Sequence, residues 1–577
     1  MAENRRHQNL LQGSLILAAA TALVKILGAI YRIPLNNMLG ELGAGYYSTA
    51  YDLYLPIYSL AMAGLPVAIS RMVAESVADK RYKDTRRILK IAQRAFLTTG
   101  IAGTVIMIVL TYFYLFNQRF RSAFHITSST DSVYSIVLIA FSILFCCIMS
   151  TYRGYYEGLR NMYPTAVSQV IEAAGKLVIG LILVWATKYV CMNVYGMPED
   201  KSLPYAAGAA VLGVSLGAGA GALYLYIRHK TMGDKITDEE LMLSPPPRRS
   251  KELLHSLLII AFPIVIGSMV RDVASLVDLT TVKARLSTVV NNNPDIVTQY
   301  YNVSALTKTE MADIPTYLYG IYKGFAYSIY NLVPTITSVI GVSAIPALCT
   351  AWTMGERKGI RESSESILRL TAIIALPTGI GISCLSGPIL NLLYSGRPNA
   401  VTIATPVLTI LGVTAVFAGM GVPITNMLQA IGKQHIPVLN MAIGVVLKII
   451  VNYILVGIES INIMGAPVGT AVCYGYIFVA NLTCLIHYSG VKINLRSTLF
   501  KPAFAAVLCG SAAIGVYKVL ETVVGSLKFD AAVSIIISGV VYVICLGMMR
   551  AFTKNDVLML PKGQKIAKLL EKLGWIG

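Results

Sequence analysis

Apolar residues run through this chain in blocks of about 20 or more, the length a helix needs to cross the hydrocarbon core of a bilayer. Blocks at 13–35, 46–70, 88–115, 132–152, 165–187, 204–227, 253–280, 316–348, 367–393, 402–428, 437–457, 466–487, 501–520 and 530–549 predict fourteen helical spans. Block 316–348 holds Pro334 and Pro346, which a membrane helix tolerates as kinks. The first block follows a short basic stretch with Arg5 and Arg6. It is too long for a signal peptide and no small-residue cleavage site closes it, so it predicts a retained first span.

The polar remainder is short. Segment 228–252 carries Pro245, Pro246 and Pro247 before Arg248 and Arg249, and reads as a linker between halves. Segment 281–315, with Asn291, Asn292, Asn293 and Pro294, reads as an external loop. Beyond Arg550, lysines and leucines alternate at helical spacing. That pattern suits either an amphipathic helix on the inner leaflet or a solvated one.

Composition agrees with this pattern. Of 577 residues, 55% are hydrophobic and 13% charged, with a mean hydropathy of +0.64. A soluble chain carries about a quarter charged residues. The fold class is therefore all-α, a polytopic integral membrane protein. The net charge of +19 raises the question of nucleic acid, and the placement of the charge answers it. An even number of spans puts both termini on one side. Loops on that side hold roughly thirty Lys and Arg against roughly ten opposite, the bias of cytoplasmic loops. Both termini are expected in the cytoplasm, with the bilayer and no nucleic acid as partner.

Halves of the chain resemble each other. Residues 159–184 align with 432–456, pairing Pro164 with Pro437 and Lys176 with Lys448, and 206–211 with 466–472. The offset is an even number of spans, so each helix keeps its orientation and the repeat is parallel. The predicted plan is two six-helix lobes in a parallel pseudo-two-fold. The lobes are 1–228 and 253–490, joined by linker 229–252. Two further helices (491–550) and a basic tail (551–577) follow. Duplicated halves around a central site are the plan of many secondary transporters.

Catalytic motifs are missing: there is no GxxxxGK[ST], HExxH or GxSxG. The histidines are scattered, and the nine cysteines lie mostly in apolar runs without a CxxC pair. No enzyme activity, cofactor or metal is expected. Energy for transport would come from a proton or Na⁺ gradient, the membrane potential or the substrate's own gradient.

Charges inside spans are costly and normally face a cavity or a partner. Lys25 and Arg32 lie two turns apart on one face of span one. Asp52 sits in span two, Arg271, Asp272 and Asp278 in span seven, and Lys323 in span eight. Glu172 and Lys176, one turn apart, are expected to form an i,i+4 ion pair, with Lys448 as a structural counterpart. Gly213, Gly217 and Gly221 form GxxxGxxxG, a close-packing signal. Lys25, Arg271 and Lys323 lining a cavity would favour an anion such as phosphate or pyrophosphate. A cation antiporter would instead use Asp52, Asp272 or Asp278.

The stretch GSLILAAATALVKILGAIYRIPLNNMLGELGAGYYSTAYDLY, with YYEGLRNMYPTA and LQAIGKQHIP, resembles the MOP flippase superfamily. Its nearest branch there is the polysaccharide-biosynthesis, stage V sporulation protein B-like one. The resemblance implies two lobes around a V-shaped cavity, alternating access and a bacterial cytoplasmic-membrane location. It implies undecaprenyl-pyrophosphate-linked saccharides as substrates, lipid II in the sporulation and wall-synthesis members, and wall-synthesis enzymes as possible partners. Other branches imply a capsular or exopolysaccharide repeat unit, or proton- or Na⁺-coupled drug efflux. Members that flip lipid II carry an R-x-L-G-x-x-R motif on span one. Lys25-Ile26-Leu27-Gly28 and Arg32 are similar, with Lys for Arg and one extra residue before Arg32. Where those members place a further arginine in span two, this chain has Leu60-Ala61-Met62-Ala63. The resemblance thus assigns Lys25 and Arg32 to the pyrophosphate; Arg271 and Lys323 are inferred, without a motif, as substitutes for the missing cation. Asp52, Asp272 and Asp278 would tune or gate them.

Overall fold

The computed structural model describes residues 10–62, 64–115, 130–301 and 306–551, with Asn117, Thr553 and Trp575. The helix expected in the tail and the side chain of Arg271 lie outside the described residues.

Twelve helices among the described residues are long and apolar enough to cross a membrane, consistent with the fourteen predicted blocks. The first such stretch, Ala19–Ala78, has 60 residues. At 1.5 Å per residue that is about three times the hydrocarbon thickness, so it cannot be one crossing. It consists of α1 (Leu10–Met62) and α2 (Leu65–Ala78). Inside α1, Gly40 leaves the helical region at φ 66°, ψ −170°. A β-carbon is disfavoured there, so the break falls at a glycine, between predicted spans one and two.

One compact unit comprises Met1–Ser287 and Leu306–Gly320. After α1 and α2 come α3 (Tyr82–Leu115), α4 (Val133–Gly158), α5 (Tyr163–Tyr189) and α6 (Glu199–Met232). A short α7 (Asp238–Leu243) precedes α8 (Ser250–Val277) and α9 (Lys283–Asn292), of which residues up to Ser287 belong to this unit. A π-helical turn, Asp278–Val282, joins α8 to α9. Residues 281–292, expected as loop, therefore continue the helix of span seven. Helix α10 (Ile314–Gly320) completes the unit. The GxxxGxxxG face does what its spacing predicts. A Cβ on Gly217 would lie 2.7 Å from the Lys176 backbone nitrogen, and Gly213 and Gly221 meet Gly180 and Ser168. On α1, Gly45 touches the Thr316 carbonyl, and Gly320 touches that of Glu41, so α10 lies directly on α1.

The proline-rich linker is folded back onto α3. Arg86 binds both carboxylate oxygens of Asp234 at 2.9 and 3.2 Å, and Tyr155 donates to the same group at 3.0 Å. Arg248 donates to Asp84 through its backbone N–H at 2.7 Å and through Nε at 2.8 Å. Lys83 Nζ donates to the Ser244 carbonyl at 3.0 Å. Burial disfavours the Asp234 carboxylate, but the Arg86 guanidinium and the Ile236 N–H outweigh it and hold the group below its usual value.

The other unit comprises Thr288–Ala305 and Ile321–Gly577. Predicted span eight is broken: the π-helical segment Ile321–Ala326 and the turn Tyr327–Tyr330 lead into α11 (Leu332–Thr353). It continues through α12 (Arg357–Cys384), α13 (Pro398–Ala430), α14 (His435–Leu455) and α15 (Gly465–Ser489) to α16 (Lys501–Val523) and α17 (Leu527–Met548). Side chains of α11, α12, α13 and α15 share one apolar core around Leu348, Leu368, Ile424 and Leu485. A second cluster joins α16 to α17, where Tyr542 donates to the Ile373 carbonyl of α12 at 2.9 Å. Large apolar side chains such as Ile101, Val105, Phe262, Phe504 and Ile536 point outward. That surface would aggregate in water and suits lipid.

Candidate functional site

Beyond Gly40, α1 presents Tyr47, Tyr51, Tyr54 and Tyr58, spaced to fall on one helical face. Their rings follow one another at 4.8, 6.0 and 5.1 Å. Two cations converge on this ladder. The Arg32 guanidinium lies 4.7 Å from the centre of Tyr47 and 5.8 Å from Tyr51. Lys176 of α5 lies 5.2 Å from Tyr31 and 5.3 Å from Tyr51, and donates to the Tyr51 hydroxyl at 3.1 Å. Aromatic faces stabilise cations while leaving their N–H groups to other acceptors. Arg32 Nη1 is such a group, buried and without a hydrogen-bond partner. A buried donor left unmade costs about 1–3 kcal/mol, which an anion at that place would recover.

The expected Glu172–Lys176 pair does not form. Glu172 binds Arg153 of α4 at 2.9 Å, and the same guanidinium donates to Ser168 at 2.9 Å. The planar fork of Arg153 satisfies both groups at once, which leaves Lys176 to the tyrosines. Lys25 is half-buried two turns before Arg32. One turn before Lys25, Thr21 donates to Gln169 of α5 at 3.4 Å, setting this part of α1 beside α5.

The carboxylates lie elsewhere in the unit. Asp52 follows Tyr51 and so points off the ladder. It accepts a hydrogen bond from Tyr319 and faces Lys283, which the sequence placed in a loop. Asp272 accepts from Ser59. Asp278 is fully buried in the π turn.

In the other unit, Lys323 sits in the π-helical segment, 4.6 Å from the Tyr327 ring and 5.6 Å from Tyr322. Tyr322 hydrogen-bonds Thr470 at 3.1 Å, and Tyr330 stands 4.8 Å from Tyr327. Lys448 and Asn452 are buried on α14, and Gly469 of α15 packs against them. Each unit thus holds a lysine walled by tyrosines. Reasoning from charges alone missed those tyrosines. Their signal was the Tyr47, Tyr51, Tyr54, Tyr58 spacing, in a chain with 33 tyrosines and 3 tryptophans. Among the described residues, no group of three or more His, Cys, Asp or Glu is placed to hold a metal ion.

A helical bundle with an apolar exterior and buried cations defines a polytopic membrane protein of transporter type. Residues 10–352 match the family described as polysaccharide biosynthesis protein, and the chain belongs to that family. Residues 323–454 also match the MatE family. The chain is 23% identical to the lipid II flippase MurJ of Bacillus subtilis, over 93% of this chain and 94% of that one. It is 25% identical to stage V sporulation protein B of the same organism, over 96% and 98%. Its fold is that of a lipid II flippase MurJ structure in an inward closed conformation, with TM-score 0.60 and 16% identity over 93% and 98% of the two chains. It is shared with an inward-facing multidrug MATE transporter of the MOP superfamily, with TM-score 0.55 and 15% identity over 81% and 98%.

Proposed function

We propose that the chain flips an undecaprenyl-pyrophosphate-linked saccharide across the bacterial cytoplasmic membrane by alternating access, with lipid II as the first substrate to test. The observation that carries this reading is the unpartnered Arg32 Nη1, on a guanidinium backed by Tyr47 and Tyr51 beside Lys176. A pyrophosphate supplies the acceptor oxygens this arrangement lacks. In this reading Lys25 and Arg32 meet the pyrophosphate, Arg271 adds charge in the same unit, and Lys323 is the corresponding cation of the other. The tyrosine ladder offers flat faces to the sugar, and the prenyl tail stays in lipid. Both termini lie in the cytoplasm.

The test is flipping of lipid II, and of a lipid-linked capsular intermediate, in proteoliposomes. Loss of one charge-assisted contact is worth about 1.5–3 kcal/mol, so Arg32→Ala should slow flipping by roughly 10- to 150-fold. Movement of the capsular lipid alone would reassign the substrate within the same mechanism. Expulsion of a cationic dye with neither lipid moving would refute the flippase reading. The second reading, a cation antiporter, draws on the MatE match, the buried Asp52 and Asp278 and the half-buried Asp272.

A further inference from the structure

Arg228, near the end of α6, forms no ion pair among the described residues. Its guanidinium lies 6.0 Å from the centre of Tyr156 of α4 and 5.5 Å from Tyr163, the first residue of α5. Nε is buried without a hydrogen-bond partner, and Nη1 has the thioether sulfur of Met232, a weak acceptor, at 3.4 Å. The Tyr156 hydroxyl is committed to His229 and the Gly233 carbonyl, and Asp234 to Arg86. Two ring faces thus hold the cation and leave its donors for an acceptor from outside the chain.

The second unit repeats this corner. In the turn from α4 into α5, the N–H groups of Leu159, Arg160 and Asn161 bond the carbonyls of Tyr155, Glu157 and Tyr156, with Arg160 at φ 56°. In the turn from α13 into α14, those of Ile431, Gly432 and Lys433 bond Met427, Gln429 and Leu428 in the same order, with Gly432 at φ 78°. There Lys433 lies 4.9 Å from the ring of Tyr488, near the end of α15, and forms no ion pair among the described residues. The roles are exchanged. In one unit the helix entry gives the tyrosine and the later helix the cation; in the other the reverse holds. The chemistry is kept although the residues are not, which packing alone does not require.

Both corners stand at the end of an apolar face. On α6, Leu216, Leu223 and Ile227 are exposed at helical spacing, and on α14 Leu439, Ile443 and Val446 are. Tyr163 and Tyr488 are themselves 50% and 41% exposed. A cation and an amphipathic ring closing a lipid-facing stripe belong at headgroup depth. A cation that only snorkels turns its donors to water, whereas the Arg228 Nε is buried.

We propose that Arg228 with Tyr163, and Lys433 with Tyr488, each bind the phosphodiester of an anionic phospholipid in the leaflet at their end of the spans. The phosphate oxygens meet the unused donors, and the acyl chains lie along the exposed stripes. The proposal does not depend on what the chain transports.

The test is native mass spectrometry of the purified full-length protein, titrated with phosphatidylglycerol and, separately, phosphatidylcholine. Wild type should prefer phosphatidylglycerol. Arg228→Gln and Lys433→Gln should each weaken its uptake about fivefold, and the double variant about 25-fold if the corners act independently. Tyr163→Phe should match wild type, and Tyr163→Leu should weaken uptake about two- to fivefold. Arg71→Gln removes an exposed charge paired with Glu75 and should leave uptake unchanged. Monodispersity on size exclusion establishes folding, and should Arg228→Gln fail it, Lys433→Gln decides. An equal loss in Arg71→Gln, or no loss in folded Arg228→Gln and Lys433→Gln, overturns the proposal in favour of diffuse attraction to a basic face. Displacement of the lipid by millimolar inorganic phosphate overturns the lipid as occupant.

Discussion

Removing Arg153 should redirect Lys176 as well as break an ion pair. In the folded chain Arg153 holds Glu172 at 2.9 Å and Ser168 at 2.9 Å. With Arg153→Gln, the cation nearest to Glu172 along its own helix becomes Lys176, one turn on. Glu172 is about a third exposed at its side chain and free to turn toward the lysine. The lost charge-assisted contact is worth about 1.5–3 kcal/mol, and the new i,i+4 pair returns about 0.5 kcal/mol at most. The net destabilisation expected is about 1–2.5 kcal/mol. The functional cost is separate: Lys176 leaves Tyr31 and Tyr51, and the ladder loses a cation. Thermal unfolding in lipid nanodiscs reads the first effect. Binding of a fluorescent pyrophosphate-bearing lipid reads the second. Adding Glu172→Gln to Arg153→Gln removes the competing acceptor, so binding should recover even though the salt bridge stays absent. Equal binding by the single and double variants would refute the argument, because Lys176 would then not be under Glu172's control.

Other expectations follow from single features. Gly217→Val forces side-chain atoms against the Lys176 and Glu172 backbone and should destabilise by about 1–3 kcal/mol. Gly381→Ala, with nothing within 4 Å of its Cβ position, should be near neutral in the same unfolding assay. The Asp234 carboxylate is held below its usual value, so it stabilises the linker above the unfolded value of 3.8, and that contribution is lost as pH falls through the folded one. Proteolysis of segment 229–252 should therefore be slow and constant near neutral pH and accelerate only in acid. Asp234→Asn should make the neutral-pH rate match the acid rate. Tyr51→Phe removes the acceptor of Lys176 but keeps a ring face, so lipid binding should fall about two- to tenfold, the worth of one modest hydrogen bond, and Tyr51→Leu should lower it further.

The spans were legible because hydrophobic length is read directly as membrane thickness. The helix contacts at Gly213 and Gly217 were legible because small residues at fixed spacing have few other uses. Legibility failed where chemistry depends on partners distant in the chain. Lys283 reads as a loop residue because Asn291, Asn292 and Asn293 follow it; only the structure shows it buried against Thr49 and Tyr319. Glu172 has a perfect local partner in Lys176, and the i,i+4 rule is silent about an arginine arriving from α4. The tyrosines carry no formal charge, so a search for chemistry among charged residues passed over the rings that hold those charges in place.

The stretch 306–320 belongs, by packing, to a unit whose other residues all precede Thr288. This has a consequence for biosynthesis. Tyr319 reaches Asp52 across 267 residues of sequence. At synthesis rates of about 5–20 residues per second, α1 waits roughly 15–50 s for that partner. During that interval Asp52 must be carried by water, lipid headgroups or the insertion machinery. The vulnerable moment in the life of this protein is therefore set by the ribosome: a pause before codon 320 leaves the first unit inserted, incomplete and holding an unmatched acid.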